Sequence, residues 1–156
     1  MIELFVFSQI IFFSYLVFII AKYGILKSIS NSYYMLPRKY NFLFTFFCWG
    51  FAIPVIIIGT PQTGLMFFAG AGIAFVGAAA QIKQLMTYKV HMVGALGGIL
   101  LSQMATIFVY DMWYITLICA LLVPLFYFTN KRTWIFWMEV VCFIAISVVL
   151  GIQVFG

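Results

Sequence analysis

Apolar residues run along this chain in blocks of about twenty, interrupted by short groups of lysine, arginine, glycine, proline and serine. A helix needs about 20 mainly apolar residues to cross about 30 Å of hydrocarbon. Six blocks approach that length, and they predict helices over roughly 2–25, 41–60, 65–82, 90–110, 112–129 and 133–154, with ends placed to within a few residues. The fourth and fifth are separated only by a turn at Asp111, which predicts an N-cap for the helix beginning near Met112. Without that turn the stretch would be far too long for one crossing, so six spans are preferred over five. The expected fold class is an all-α, polytopic integral membrane bundle forming a single transmembrane domain over residues 1–156.

The longest connection, KSISNSYYMLPRKY, is mixed in character: Ser28, Ser30, Asn31 and Ser32 alternate with Ile29, followed by Tyr33, Tyr34, Pro37 and Tyr40. Tyrosines suit the headgroup boundary, where the ring is apolar and the hydroxyl wet. The expectation is an interfacial segment or a short re-entrant turn, with a binding loop as the alternative. Pro54 and Pro124 fall late in the second and fifth spans and are candidate kinks. Together with Ser8-Gln9 and Ser102-Gln103 they hint at an inverted three-plus-three repeat. The prolines are 70 residues apart and the Ser-Gln pairs 94, so the spacings do not agree.

Charge orients the bundle. Lys22, Lys27, Arg38 and Lys39 flank the first connection, Lys83 and Lys89 the third, and Lys131 and Arg132 form the fifth; Glu3 and Asp111 fall at the opposite ends of the spans. By the positive-inside rule the basic side is cytoplasmic, which places the N- and C-termini on the non-cytoplasmic side. The net charge of +5 is thus spread as topology signals, not as a patch for nucleic acid. Composition agrees: 67% of the 156 residues are apolar and only 7% charged, against about 25% charged in an ordinary soluble domain. The lipid bilayer is therefore the expected partner, with the bacterial inner (plasma) membrane as the expected location. The N-terminus lacks the basic region and small-residue cleavage site of a secretory signal and reads as a retained first span. Cys48, Cys119 and Cys142 lie singly within apolar segments and read as small buried hydrophobes.

Two stripes of small residues predict close helix packing. Gly70, Ala74, Gly77 and Gln81 share one helical face in the third span at a spacing of four, three and four, and His91, Ala95, Gly98, Ser102 and Thr106 share one in the fourth at four, three, four and four. Small residues let backbones approach where hydrophobicity no longer distinguishes a helix from lipid. Packing the two stripes together would set Gln81 near His91. Ser102, Gln103 and Thr106 are expected to hydrogen-bond across helices, and Ser8, Gln9 and Gln153 to lie near the outer interface.

Glu139 is the one acid placed deep inside a span, about 10 Å beyond Arg132 at 1.5 Å per residue. A charge facing lipid there costs several kcal/mol, so Glu139 is expected to protonate or to find a partner. Residues of matching depth are His91, Gln81, Lys22 and Lys83, which would converge with it in a polar pocket near the cytoplasmic leaflet. The plainer alternative is a shallow carboxylate paired with Lys22 or Lys83 to hold helices together. His91, the one side chain of a type that titrates near neutrality, is either a proton relay or an interfacial histidine satisfied by water.

No metal site or other cofactor is expected, because one histidine and three scattered acids cannot supply the three or so protein ligands of a catalytic zinc. No GxSxG, GxxxxGK[ST] or CxxCH sequence occurs. GAGIAFVGAAA lies within a span, not at a strand-to-helix turn, and the PQ of GTPQTG falls in an outer loop, away from the helical placement of a PQ-loop sugar transporter. The order SISN, GAGIAFVGAAAQIK, VH resembles the early helices of alkaline-ceramidase-type membrane hydrolases over about the first two-thirds of the chain. That resemblance implies a zinc-dependent hydrolase on seven spans. The Asp and the histidine ligands other than His91 are absent here, as is a seventh span. The expected function is a small transport-type or ligand- or ion-binding membrane protein centred on Glu139, its small molecule or ion unidentified. A structural or accessory subunit, working as a homo-oligomer or beside a partner membrane subunit, is the alternative.

Overall fold

In the computed structural model the described residues are 1–80 and 85–156, with side chains described from residue 89 in the second stretch. Gln81 and Lys83 lie outside them. The described residues are helical, with no strand: α1 (Ile2–Tyr23), α2 (Ser32–Met35), a 3-10 turn (Arg38–Tyr40), α3 (Phe42–Gly59), α4 (Gly64–Ala79), α5 (Leu85–Phe108), α6 (Trp113–Thr129) and α7 (Trp134–Phe155). In lipid an exposed backbone must bond within its own segment, and a helix achieves this locally. Four of these helices are long and apolar enough to cross a membrane, with α4 and α6 shorter, so lipid is the environment the chain implies.

The helix ends have local causes. Gly24 ends α1 with φ 74°, a left-handed conformation that glycine adopts without steric cost, while its N–H still reaches Ile20 O. Thr63 caps α4 by accepting a hydrogen bond from Leu65 N–H at 3.2 Å. Asp111 departs from expectation: it is exposed with φ 54° and forms the left-handed turn between α5 and α6, whereas Met112 occupies the N-cap position without a side-chain cap bond. Aspartate tolerates positive φ better than most side chains, so its role there is to reverse the chain. Pro54 and Pro124 lie inside continuous helices, Pro54 buried and Pro124 exposed.

Sequential long helices pack antiparallel. Tyr15 stacks on Phe47 at 4.6 Å between α1 and α3, and Thr116 Oγ1 donates to Gln103 Oε1 at 2.7 Å between α6 and α5. Phe126 stacks on Trp137 at 5.9 Å between α6 and α7. Phe5 and Phe155, 5.7 Å apart, bring the two chain ends together. Alternation therefore gathers Lys22, Lys27, Arg38, Lys39, Lys89, Lys131 and Arg132 at one end of the bundle and Glu3 and Asp111 at the other. Phe12, Phe44, Phe47, Phe51 and Phe136 are fully buried in the core, Phe44 and Phe136 in the first turns of α3 and α7 at the basic end.

The small-residue stripes divide differently from the expectation that they face each other. Gly70, Ala74 and Gly77 meet α3: a Cβ at Gly70 would stand 2.5 Å from Ile56 Cγ1, and one at Gly77 2.6 Å from Cys48 Cβ. Trp49 Nε1 donates to Ala74 O at 3.1 Å, and Thr45 Oγ1 donates to Gly77 O at 3.0 Å. The α4–α5 seam uses another face of α4. A Cβ at Gly72 would stand 2.6 Å from Gly94 O and 3.0 Å from Gly98 Cα. The physical reason is that α4 is covered on two sides, and glycines on both faces admit a neighbouring helix. Ser102 and Thr106 also differ, since they donate to Ile99 O and Ser102 O of their own helix, each at 2.8 Å; among the described residues Gln103 is the one of the three that bonds across. Ser8, in the second turn of α1 at the Glu3 end, turns into the bundle, where it is fully buried and donates to Phe5 O.

The connection between α1 and α3 folds inward on one face. Leu26, Ile29, Tyr33 and Leu36 are buried at a spacing of three, four and three, while Tyr34 and Tyr40 remain exposed. Ser32, fully buried, donates to Ile29 O at 2.5 Å and pairs with Tyr15 OH at 2.6 Å, anchoring the segment to α1.

Candidate functional site: the cavity at Glu139

Glu139 lies in the second turn of α7, and Cys142, Phe143 and Ile146 follow it at offsets of three, four and seven on the same helical face. That face forms one wall of a cavity of about 60 Å³. Ile29 and Ser30 close it from the inturned connection, Phe44, Phe47 and Cys48 from α3, and Ala95, Gly98 and Ile99 from α5. A water needs about 10–15 Å³ measured this way, so the space admits more than one.

The partly buried Glu139 carboxylate accepts a hydrogen bond from the Ile29 backbone N–H through Oε2 at 2.5 Å. The local turn makes that N–H available: Ser28 Oγ accepts from Asn31 N–H and pairs with Ser30 Oγ, both at 3.1 Å, which turns the chain so that Ile29 presents its amide to α7. Among the described residues no cation pairs with Glu139.

The other candidate residues are placed as follows. Lys22 is exposed, its ammonium 5.6 Å from the Phe18 ring centroid and 5.4 Å from that of Tyr23. It therefore sits over aromatic rings near the bundle end. His91 is partly buried, directed at the Val76 backbone carbonyl, and is not among the residues lining the cavity. Ala95, one turn further along α5, does line it, as does Val76. The fold thus brings Glu139, Ala95 and Gly98 together with Ser30, and leaves Lys22 outside. Ser30, His91 and Glu139 do not form a hydrogen-bonded nucleophile–base–acid arrangement among the described residues. No group of three His, Cys, Asp or Glu positioned to hold a metal occurs among the described residues.

Sequence reasoning missed the partner of Glu139, a backbone amide 110 residues earlier in the chain. The signal available was the buried 26-29-33-36 pattern hidden among serines and tyrosines, which marks a face that must pack on something. No protein-family model, curated protein or solved structure matches the chain.

Proposed function

We propose that the protein is a six-span integral membrane protein of transport or small-ligand-binding type, with Glu139 as the ionisable element of a pocket at the cytoplasmic leaflet. The observation that carries this is the Glu139 carboxylate on the wall of an internal cavity built from α3, α4, α5, α7 and the inturned connection. A carboxylate inside a membrane bundle is costly, and residues of this kind mark ion, proton or substrate sites.

Six crossings are supported by how the two short helices pack. α4 touches α3 from Gly59 and Met66 at one end to Cys48 and Gly77 at the other, so a membrane crossed by α3 is crossed by α4 as well. α6 is held to α5 near Gln103 and to α7 near Trp134, which supports the same for it. With the basic residues at one bundle end, the positive-inside rule puts both termini outside and the Glu139 cavity toward the cytoplasm.

The test uses single-cysteine variants in oriented membrane vesicles. Lys22→Cys and Lys131→Cys are expected to react with an impermeant maleimide from the cytoplasmic face, and Glu3→Cys and Asp111→Cys from the opposite one. A variant retaining only Cys142, on the cavity wall, is expected to be modified by silver ion, which is small enough for the cavity and displaces the thiol proton, much faster than one retaining only Cys119. Equal rates for the two would remove the pocket.

The peripheral position of α6 favours a second reading. It buries only Cys119 and exposes Trp113, Leu117, Ile118, Leu121, Leu125 and Phe128, an apolar face that lipid or another subunit would cover. On that reading, as a structural or accessory subunit, Glu139→Gln changes the assembly size measured by light scattering in detergent and Cys142 stays unmodified.

A further inference from the structure

We propose that the Glu139 cavity takes a compact organic ammonium ion, its charge on the Glu139 carboxylate and its methyl or methylene groups against Phe44, Phe47 and Phe143; this rests on the pocket reading above and gives the pocket its ligand class. Three features of the cavity carry it. The first is charge. The carboxylate receives one N–H and no cation among the described residues, and a carboxylate withdrawn from water calls for a positive partner. An anionic ligand would add a second negative charge to the same small space.

The second feature is the chemistry of the remaining wall. The side-chain oxygens lining the cavity are those of Glu139 and Ser30, too few for calcium, which takes six to eight oxygen ligands. The two thiols present, Cys48 and Cys142, do not join Glu139 in a metal-binding group. Aromatic rings instead form a continuous surface: Phe47 lies 5.4 Å from Phe143 and 6.2 Å from Phe44 by ring centroids, and Tyr15 stacks behind Phe47. Ring faces attract alkylammonium groups through their quadrupoles and at the same time suit the apolar carbons attached to the nitrogen.

The third is size. At about 60 Å³ the cavity is well below the roughly 150 Å³ that admits benzene, so the ligand is limited to a few heavy atoms. The Ile29 N–H already donates to the carboxylate, so an ammonium ion arriving there shares that group with the inturned connection. Occupancy and the position of the connection are coupled through one side chain.

The experiment is calorimetric titration of the full chain in nanodiscs of zwitterionic lipid with methylammonium, potassium, methanol and acetate. Saturable binding of methylammonium is expected, with potassium, methanol and acetate much weaker. Glu139→Gln is expected to weaken methylammonium binding roughly thirtyfold or more. Phe143→Leu, which keeps the carboxylate and an apolar side chain, is expected to weaken it roughly threefold. Each variant is checked for a wild-type thermal unfolding profile, and the Phe143 variant serves if Glu139→Gln does not fold. Unchanged binding in Glu139→Gln, or equal binding of methanol or of potassium, overturns the ammonium assignment. Absence of methylammonium binding while Cys142 is modified by silver as above also overturns it and leaves the pocket standing; absence of both removes the pocket as well.

Discussion

The α4–α5 seam and the Glu139 cavity lie on adjoining sides of the same helix, and their difference is instructive. On the side toward α4, Gly94 and Gly98 meet Gly72 and Ala69 so closely that backbone touches backbone: a Cβ at Gly94 would stand 2.9 Å from Gly72 O and one at Gly98 3.2 Å from Ala69 O. Nothing fits between the two backbones, and the space lies beside them, in an open groove of about 470 Å³ that Gly72, Gly94 and Gly97 line. On the side toward α7, the Ala95 methyl and the bare backbone of Gly98 line a space, opposite Phe143 and Ile146. Small residues thus yield a tight joint where the neighbour is equally small and a void where the neighbour is a ring held in place by an aromatic core. Gly98 takes part in both.

Breaking the seam is expected to have the largest effect. Gly72→Val places branched carbon against the Gly94 carbonyl and Gly98 Cα, neither of which is a flexible side chain that could move aside. The expected loss is about 3 kcal/mol or more, read by thermal or denaturant unfolding in detergent. Loosening the inturned connection comes next. Ser32→Ala leaves the Tyr15 hydroxyl, bonded to Ser32 at 2.6 Å, without that partner in a buried site. A loss of about 1–3 kcal/mol is expected in the same unfolding measurement. The smallest effect sharpens the comparison from the other direction. Gly97 neighbours Gly98 but would meet nothing within 4 Å of an added Cβ. Gly97→Ala is expected to stabilise by up to about 1 kcal/mol through helix propensity alone. A large loss at Gly97, or none at Gly72, would show that glycine content matters more than the particular contact.

The helices were legible in sequence because period and length in an apolar chain leave little else to form: the Ile2–Tyr23 and Trp134–Phe155 helices lie within a few residues of their expected ends. Glu139 stood out as the one acid deep inside a span, for the same reason. Which small residue faces which helix was not legible. Gly70 and Gly72 are two residues apart and point to different neighbours, α3 and α5, so a stripe of small residues says that something packs closely without saying what. The partner of Glu139 was hidden more deeply, because a backbone N–H carries no residue identity and Ile29 sits in a stretch whose serines and tyrosines read as interfacial. Lys22, whose charge and depth made it a natural partner, is instead held over Phe18 and Tyr23, rings from its own helix that it reaches without leaving the bundle end.

The bond between Glu139 and the Ile29 amide is where the cavity, the inturned connection and α7 meet, and amide hydrogen exchange reads it directly. In the wild-type chain the Ile29 amide is expected to exchange slowly. In Glu139→Ala it is expected to exchange about tenfold faster or more, while core amides such as that of Val55 are unchanged. An Ile29 amide that exchanges freely in the wild type, or at the same rate in both proteins, would contradict the account.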